Sequence, residues 1–168
     1  IAFASESAPG EAAKLDRRFL EEFGVTTPLV GLGVDRLDYT KGIMERFKGI
    51  EHFFEKNPSY RGQFTLLQIA PISRAEAAPY QAYAERVSSE AERINQKFGT
   101  REWKPIVLVM KHYAHSVLDK LYRLANLCLV TSLHDGMNLV AKEFVAARDD
   151  EQGVLILSNF TGASRDLK

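Results

Sequence analysis

Short apolar runs of strand length alternate along this chain with longer segments of helical period, a pattern that demands βαβ units and a parallel sheet. The spacing predicts a helix at about 10–23 closed by Gly24, a strand at 29–34, and a helix at about 42–56 stopped by Asn57-Pro58. A strand at 64–69 precedes a long charged helix at about 75–98 closed by Gly99, and 105–110 makes the third strand. A helix near 116–125, a strand at 127–131, a helix at 138–148 and a strand at 154–157 complete the series. The expected fold is α/β, a doubly wound parallel sheet of Rossmann-like type, in one domain spanning 1–168.

A chain of 168 residues buries roughly 70% of its unfolded surface, enough for a true core. Lysine plus arginine and aspartate plus glutamate both number 22, so no global field draws the chain to nucleic acid or an anionic membrane. Any anion must be held locally. The single cysteine, Cys128, lies in an apolar run, which excludes an internal disulfide and fits a buried thiol in a reducing cytoplasm. No apolar stretch approaches the roughly 20 residues that span a bilayer. The start at Ile1 rather than Met, and the stop just past the loop 158–164, give the chain the look of an excised piece.

Doubly wound sheets bind ligands beyond the carboxyl ends of their strands, where loops converge and helix N-termini point outward. The five loops there, 35–42, 70–74, 111–115, 132–138 and 158–164, are rich in polar, glycine or cationic residues. Arg36 and Lys41 share the first of them, with Gly42 freeing the turn into the helix. Two cations so placed suit a diphosphate, a guanidinium fork and a point charge each adding charge-assisted bonds. Equally, they are solvated loop cations paired with Asp35 or Asp38.

The segment 134–147 is the most informative. Gly136 is free to take positive φ and turn the N–H groups of the following helix toward one anion. That helix, with Leu139, Val140, Ala141, Phe144, Val145, Ala146 and Ala147, is apolar nearly all round and is expected to be buried against the sheet. Glu143 is then anomalous, since a carboxylate near a core needs partners, and a diol such as ribose supplies two hydroxyls. The alternative is an early-helix acid favoured by the dipole and bonded to nearby backbone. Asp135 either accepts sugar hydroxyls or caps the helix beginning near Asn138. Arg74 binds a phosphate or merely covers the sheet edge.

Other signatures fail. Gly31-Leu32-Gly33 lies inside a strand with no third glycine opening a helix, so the dinucleotide fingerprint is absent. Lys41 precedes its glycine, so there is no Walker-type phosphate loop. His112 and His115 have no Cys or further His near them to complete a zinc site. Asp35 and Asp38 stand three apart, where an aspartyl-phosphate phosphatase needs two.

Taken together, Val34-Asp35-Arg36-Leu37-Asp38-Tyr39-Thr40-Lys41-Gly42, Gln68-Ile69-Ala70-Pro71-Ile72-Ser73-Arg74, Asp135-Gly136-Met137-Asn138-Leu139-Val140-Ala141-Lys142-Glu143 and Gly153-Val154-Leu155-Ile156-Leu157-Ser158 closely resemble the trehalose-6-phosphate synthase family over residues 28–168. The resemblance implies the C-terminal, nucleotide-sugar-binding half of a retaining GT-B glycosyltransferase, with no metal or other cofactor and with the N-terminal acceptor domain as its partner. It implies that Arg36 and Lys41 hold the donor diphosphate, and that Asp135 with the backbone of Gly136, Met137 and Asn138 holds the glucose hydroxyls. Leu139 and Val140 would offer N–H groups to phosphate, Glu143 would grip the ribose, and Arg74 would reach the phosphate of a sugar phosphate acceptor, glucose 6-phosphate. The nucleobase would lie near 111–115. Asn159 and Thr161 stand where many members carry Glu and Ala, which leaves glucosylglycerol-phosphate synthase, using ADP-glucose, as an alternative beside a non-catalytic nucleotide-sugar-binding module.

Overall fold

The computed structural model describes residues 9–72, 78–150 and 152–167. Five parallel strands run in the order β3-β2-β1-β4-β5, namely β1 Leu29–Val34, β2 Phe64–Ile69, β3 Ile106–Val109, β4 Leu127–Val130 and β5 Val154–Leu157. Helices connect them: α1 Pro9–Glu22 leads into β1, then α2 Ile43–Lys56, α3 Ala78–Phe98, α4 His115–Leu124 and α5 Leu139–Ala147. Every predicted element is present to within two residues at its described ends. The start expected near 75 for the third helix lies among residues 73–77, outside the described set.

Two apolar layers sandwich the sheet. On one face Phe47, Ile50 and Phe54 of α2 and Val87, Ala91 and Ile94 of α3 pack over Phe64, Leu66 and Ile106. On the other, Leu121 and Tyr122 of α4 and Phe144 of α5 close over Val30, Leu32, Leu67 and Cys128, with Phe19 and Leu20 of α1 at the margin. Six consecutive residues of β2 are buried, as expected of a central parallel strand covered on both sides. Cys128 is fully buried, as its apolar context predicts, and burial pushes its thiol up to about 12.

The helix after β4 is buried against the sheet as expected, but along one stripe and not on every side. Only Ala141, Phe144 and Ala147 of α5 are buried, while Leu139, Val145 and Ala146 are exposed. The physical reason is the period: the buried residues recur every three positions and form one stripe against β4 and β5, so the remaining apolar residues point elsewhere. The opposite side of β5 is also open. Val154 and Ile156 line an apolar groove of about 700 Å³ with Leu29, Ile50, Phe53 and Leu129. Among the described residues, no helix is long and apolar enough to cross a membrane.

Candidate functional site

β1 and β4 are neighbours, and their connections leave in opposite directions, β1 toward β2 and β4 toward β5. The crevice beyond their carboxyl ends is the switch point at which an open α/β sheet takes its ligand. The loops on either side of it carry the residues singled out in the sequence.

In the β1 loop, Asp38 caps a short 3₁₀ turn, Tyr39–Lys41, accepting hydrogen bonds from the Thr40 N–H (2.9 Å) and hydroxyl (2.8 Å). Gly42 ends that turn at φ 64° and ψ 33°, a left-handed conformation that uses the freedom a glycine brings to the turn into α2. The turn leans on the β4 loop, where the Leu133 N–H donates to the Thr40 carbonyl at 2.7 Å. This brings Lys41 to Asp135: Nζ lies 2.6 Å from Oδ2, and both side chains are about 15% exposed. Burial would raise the Asp135 carboxyl, but hydrogen bonds from Lys41 and Asn138 together with the Lys41 charge hold it below its ordinary value. Arg36 is exposed at the start of the same loop and, among the described residues, has neither a hydrogen bond nor an ion pair.

Pairing of these cations with Asp35 or Asp38 is therefore corrected. Asp38 is spent on Thr40, and Asp35 is buried against Arg46, whose Nη1 stands 2.7 Å from Oδ2.

The turn into α5 is also corrected in detail. Gly136 does not carry positive φ; Asn138 does, at 70°. Its side chain offsets the cost, because Oδ1 accepts from the Ala141 N–H at 3.1 Å and so caps the helix, while Nδ2 donates to Asp135 at 3.0 Å. Asn138 is the cap, which leaves Asp135 to face Lys41. The N–H groups of Leu139 and Val140, one step along, precede any intrahelical acceptor and remain available to an anion.

A third loop supports these two. Asp135 forms a parallel bridge with Thr161, the Gly162 N–H donates to the Asp135 carbonyl at 3.0 Å, and that of Ala163 donates to the Met137 carbonyl at 2.7 Å. Thr161 is buried and its hydroxyl donates to the Ser158 carbonyl, whereas Asn159 is exposed. Tyr39, Leu133, Met137 and Phe160 on these loops, and Leu139 at the start of α5, are exposed apolar side chains.

Glu143 is half-buried one turn into α5, and its partner is neither backbone nor solvent alone. The hydroxyl of Tyr122, on α4, donates to Oε2 at 2.9 Å. Burial, then the Glu143 bond, push the Tyr122 hydroxyl far above its ordinary value, so it serves only as a donor. Arg74 lies outside the described residues. His112 and His115 are both exposed, and among the described residues no group of three or more His, Cys, Asp or Glu is placed to hold a metal ion.

Sequence reasoning missed Arg46. It is 2% exposed; Nη1 also reaches Gln68 at 2.6 Å, and Nε reaches the Thr131 hydroxyl at 3.0 Å. Burial pushes the Asp35 carboxyl up and the guanidinium opposes it; deleting one partner of such a pair costs about 3–5 kcal/mol.

A parallel α/β sheet of Rossmann-like type, with the Lys41–Asp135 pair and the capped N-terminus of α5 at its switch point, matches half of the GT-B glycosyltransferase fold. The chain belongs to glycosyltransferase family 20, whose profile matches residues 5–168. It is 42% identical over 167 residues to trehalose-6-phosphate synthase of Sinorhizobium fredii, covering 99% of this chain and 35% of that protein's length. A Burkholderia xenovorans UDP-forming α,α-trehalose-phosphate synthase in complex with glucose-6-phosphate superposes with TM-score 0.86 at 42% identity, over 95% of this chain and 35% of that one. An E. coli trehalose-6-phosphate structure bound with UDP-2-fluoro glucose gives TM-score 0.83 at 40% identity, over 98% and 35%.

Proposed function

We propose that this chain is the donor-binding part of a retaining glycosyltransferase that moves glucose from UDP-glucose to glucose 6-phosphate, forming trehalose 6-phosphate. One observation carries the reading: Lys41 and Asp135 meet across the switch-point crevice at 2.6 Å, with exposed Arg36 on the same loop as Lys41 and Asn138, the cap of α5, bonded to Asp135. In this reading Arg36 and Lys41 bind the diphosphate, and the N–H groups of Leu139 and Val140 add to them. Asp135 and the backbone of Gly136, Met137 and Asn138 hold glucose, Glu143 grips the ribose, and Arg74 reaches the acceptor phosphate. The UDP-2-fluoro glucose and glucose-6-phosphate found with relatives support these ligand classes.

The chemical task is electrostatic. As the glycosidic bond to phosphate breaks, negative charge grows on the leaving diphosphate, and two cations with two N–H groups neutralise it without a metal. The leaving phosphate takes the proton of the incoming hydroxyl on the same face, which gives retention. Loss of one preorganised donor costs on the order of 3–4 kcal/mol, so Arg36→Ala or Lys41→Ala should slow transfer by about a hundredfold or more in the complete enzyme.

Calorimetric titration of the chain with UDP-glucose, ADP-glucose and the Arg36→Ala and Glu143→Ala variants tests the donor reading. Saturable binding of UDP-glucose that both substitutions weaken is expected. Tighter ADP-glucose binding would favour glucosylglycerol-phosphate synthesis, for which exposed Asn159 is the motivating departure. Unimpaired transfer by Arg36→Ala in the complete enzyme would overturn the assignment.

A further inference from the structure

Arg46 lies under the β1 loop rather than in it, and its bonds reach both ends of the segment that carries the two cations. At the start, Nη1 holds Asp35, the residue immediately before Arg36, at 2.7 Å. At the end, Nε holds the Thr131 hydroxyl at 3.0 Å, and that hydroxyl donates to the carbonyl of Gly42, the residue immediately after Lys41, at 3.2 Å. The backbone N–H of Arg46 donates to the same carbonyl at 2.9 Å. Thr131 also opens the β4 loop, so the guanidinium ties the two walls of the crevice together.

The surroundings are built for this side chain. A Cβ at Gly33 would stand 2.4 Å from Arg46 Nη1 and 2.3 Å from Gln68 Oε1, so only glycine leaves the guanidinium its place above β1. Gln68 is the polar residue of an otherwise apolar, fully buried strand apart from Thr65, and it accepts from Arg46 at 2.6 Å. A fork of planar donors can bond three acceptors at once; a lysine ammonium on a flexible stem cannot keep that geometry.

We propose that Arg46 is the positioning residue of the donor site, setting the spacing of Arg36 and Lys41 and their distance from the β4 loop without touching the nucleotide sugar. The proposal rests on the donor reading given above. Thr131→Val tests it with little change of volume, since it removes the acceptor of Arg46 and the donor to Gly42 while leaving the Asp35 pair intact.

Affinity for UDP-glucose is measured by calorimetry on the chain, Thr131→Val, Thr131→Ser, Arg36→Ala and the Arg36→Ala/Thr131→Val double variant, with Arg46→Lys alongside. Thr131→Val should weaken binding by about three- to tenfold, Thr131→Ser should restore it, and Arg46→Lys should fall at least as far as Thr131→Val. In the Arg36→Ala background Thr131→Val should cost clearly less, because part of what Thr131 positions is gone. An equal factor in both backgrounds, or no rescue by serine, would mean that Arg46 and Thr131 serve the fold alone and would overturn the proposal. If Arg36→Ala itself leaves UDP-glucose binding unchanged, or the unsubstituted chain binds none, the donor reading fails first and the proposal falls with it.

Discussion

Gly24 and Gly42 share a left-handed backbone but not a neighbourhood, and the pair isolates what the crevice demands of its sequence. Gly24, after α1, has φ 81° and open space within 4 Å of an added Cβ; Gly42 has φ 64°, and its Cβ would stand 2.2 Å from the Thr131 carbonyl oxygen. Alanine at Gly24 therefore meets only the left-handed penalty, about 1–2 kcal/mol. Alanine at Gly42 meets the same penalty and must also push two backbones apart by most of an ångström. That movement breaks the Thr131 hydroxyl bond to the Gly42 carbonyl and strains the one from the Leu133 N–H to the Thr40 carbonyl, each worth about 1 kcal/mol. The total for Gly42→Ala is about 3–4 kcal/mol, or roughly 10 °C in Tm for a chain of this size. Urea unfolding followed by the fluorescence of Trp103, the only tryptophan and a buried one, reads both variants. Gly24→Ala should also keep UDP-glucose binding, and Gly42→Ala should lose it. If the two variants are equally mild, the β1 and β4 loops are not in the close contact described and the reasoning from it is wrong.

Tyr122→Phe removes the donor that orients Glu143; it should cost about 1–2 kcal/mol in urea unfolding and weaken UDP-glucose severalfold, but leave binding of the 2′,3′-dideoxy nucleotide analogue unaltered if Glu143 holds the ribose. Hydrogen bonds from Arg93 and Lys97 lower the Glu51 carboxyl from 4.5 to about 2. Because the folded-state value is depressed, the stabilisation is complete above about pH 4.5 and is lost as pH falls through 2, so Glu51→Gln should flatten the acid limb of a Tm-against-pH profile in that window. The buried Cys128 thiol should stay unreactive to an aromatic disulfide reagent at pH 8 until the chain unfolds, and a fast reaction under native conditions would contradict its burial.

The framework of the fold was legible because its signals are local. Each strand is a run of apolar residues between turn formers, and each helix carries a stripe at its own period, so Leu29–Val34 and Ile43–Lys56 are readable without knowing what they touch. The loops that matter followed from the parallel arrangement, since every strand of a parallel sheet puts its carboxyl end at the same edge. What was not legible depended on partners distant in sequence. Whether Asp135 caps α5 or faces Lys41 turns on a residue 94 positions away, and Asn138 took the capping role only because the chain turns left-handed there rather than at Gly136. Tyr122, on α4, gave no sign that it would seek out Glu143.

Arg46 is the instructive omission, because a signal for it was present in two places. On α2 it reads as one more charged residue of an amphipathic helix, yet Gln68 interrupts the apolar run of β2, and a buried amide in a central strand needs a partner. The strand register sets Gly33 directly beside Gln68. A strand glycine opposite a buried polar residue marks a place where something large crosses the sheet, and here it is the guanidinium of Arg46. The Gly31-Leu32-Gly33 run, set aside because it opens no phosphate-binding turn, thus has its second glycine explained by packing: it makes room for the side chain that ties Asp35 to Thr131, and through them the loop of Arg36 and Lys41 to the β4 loop bearing Asp135.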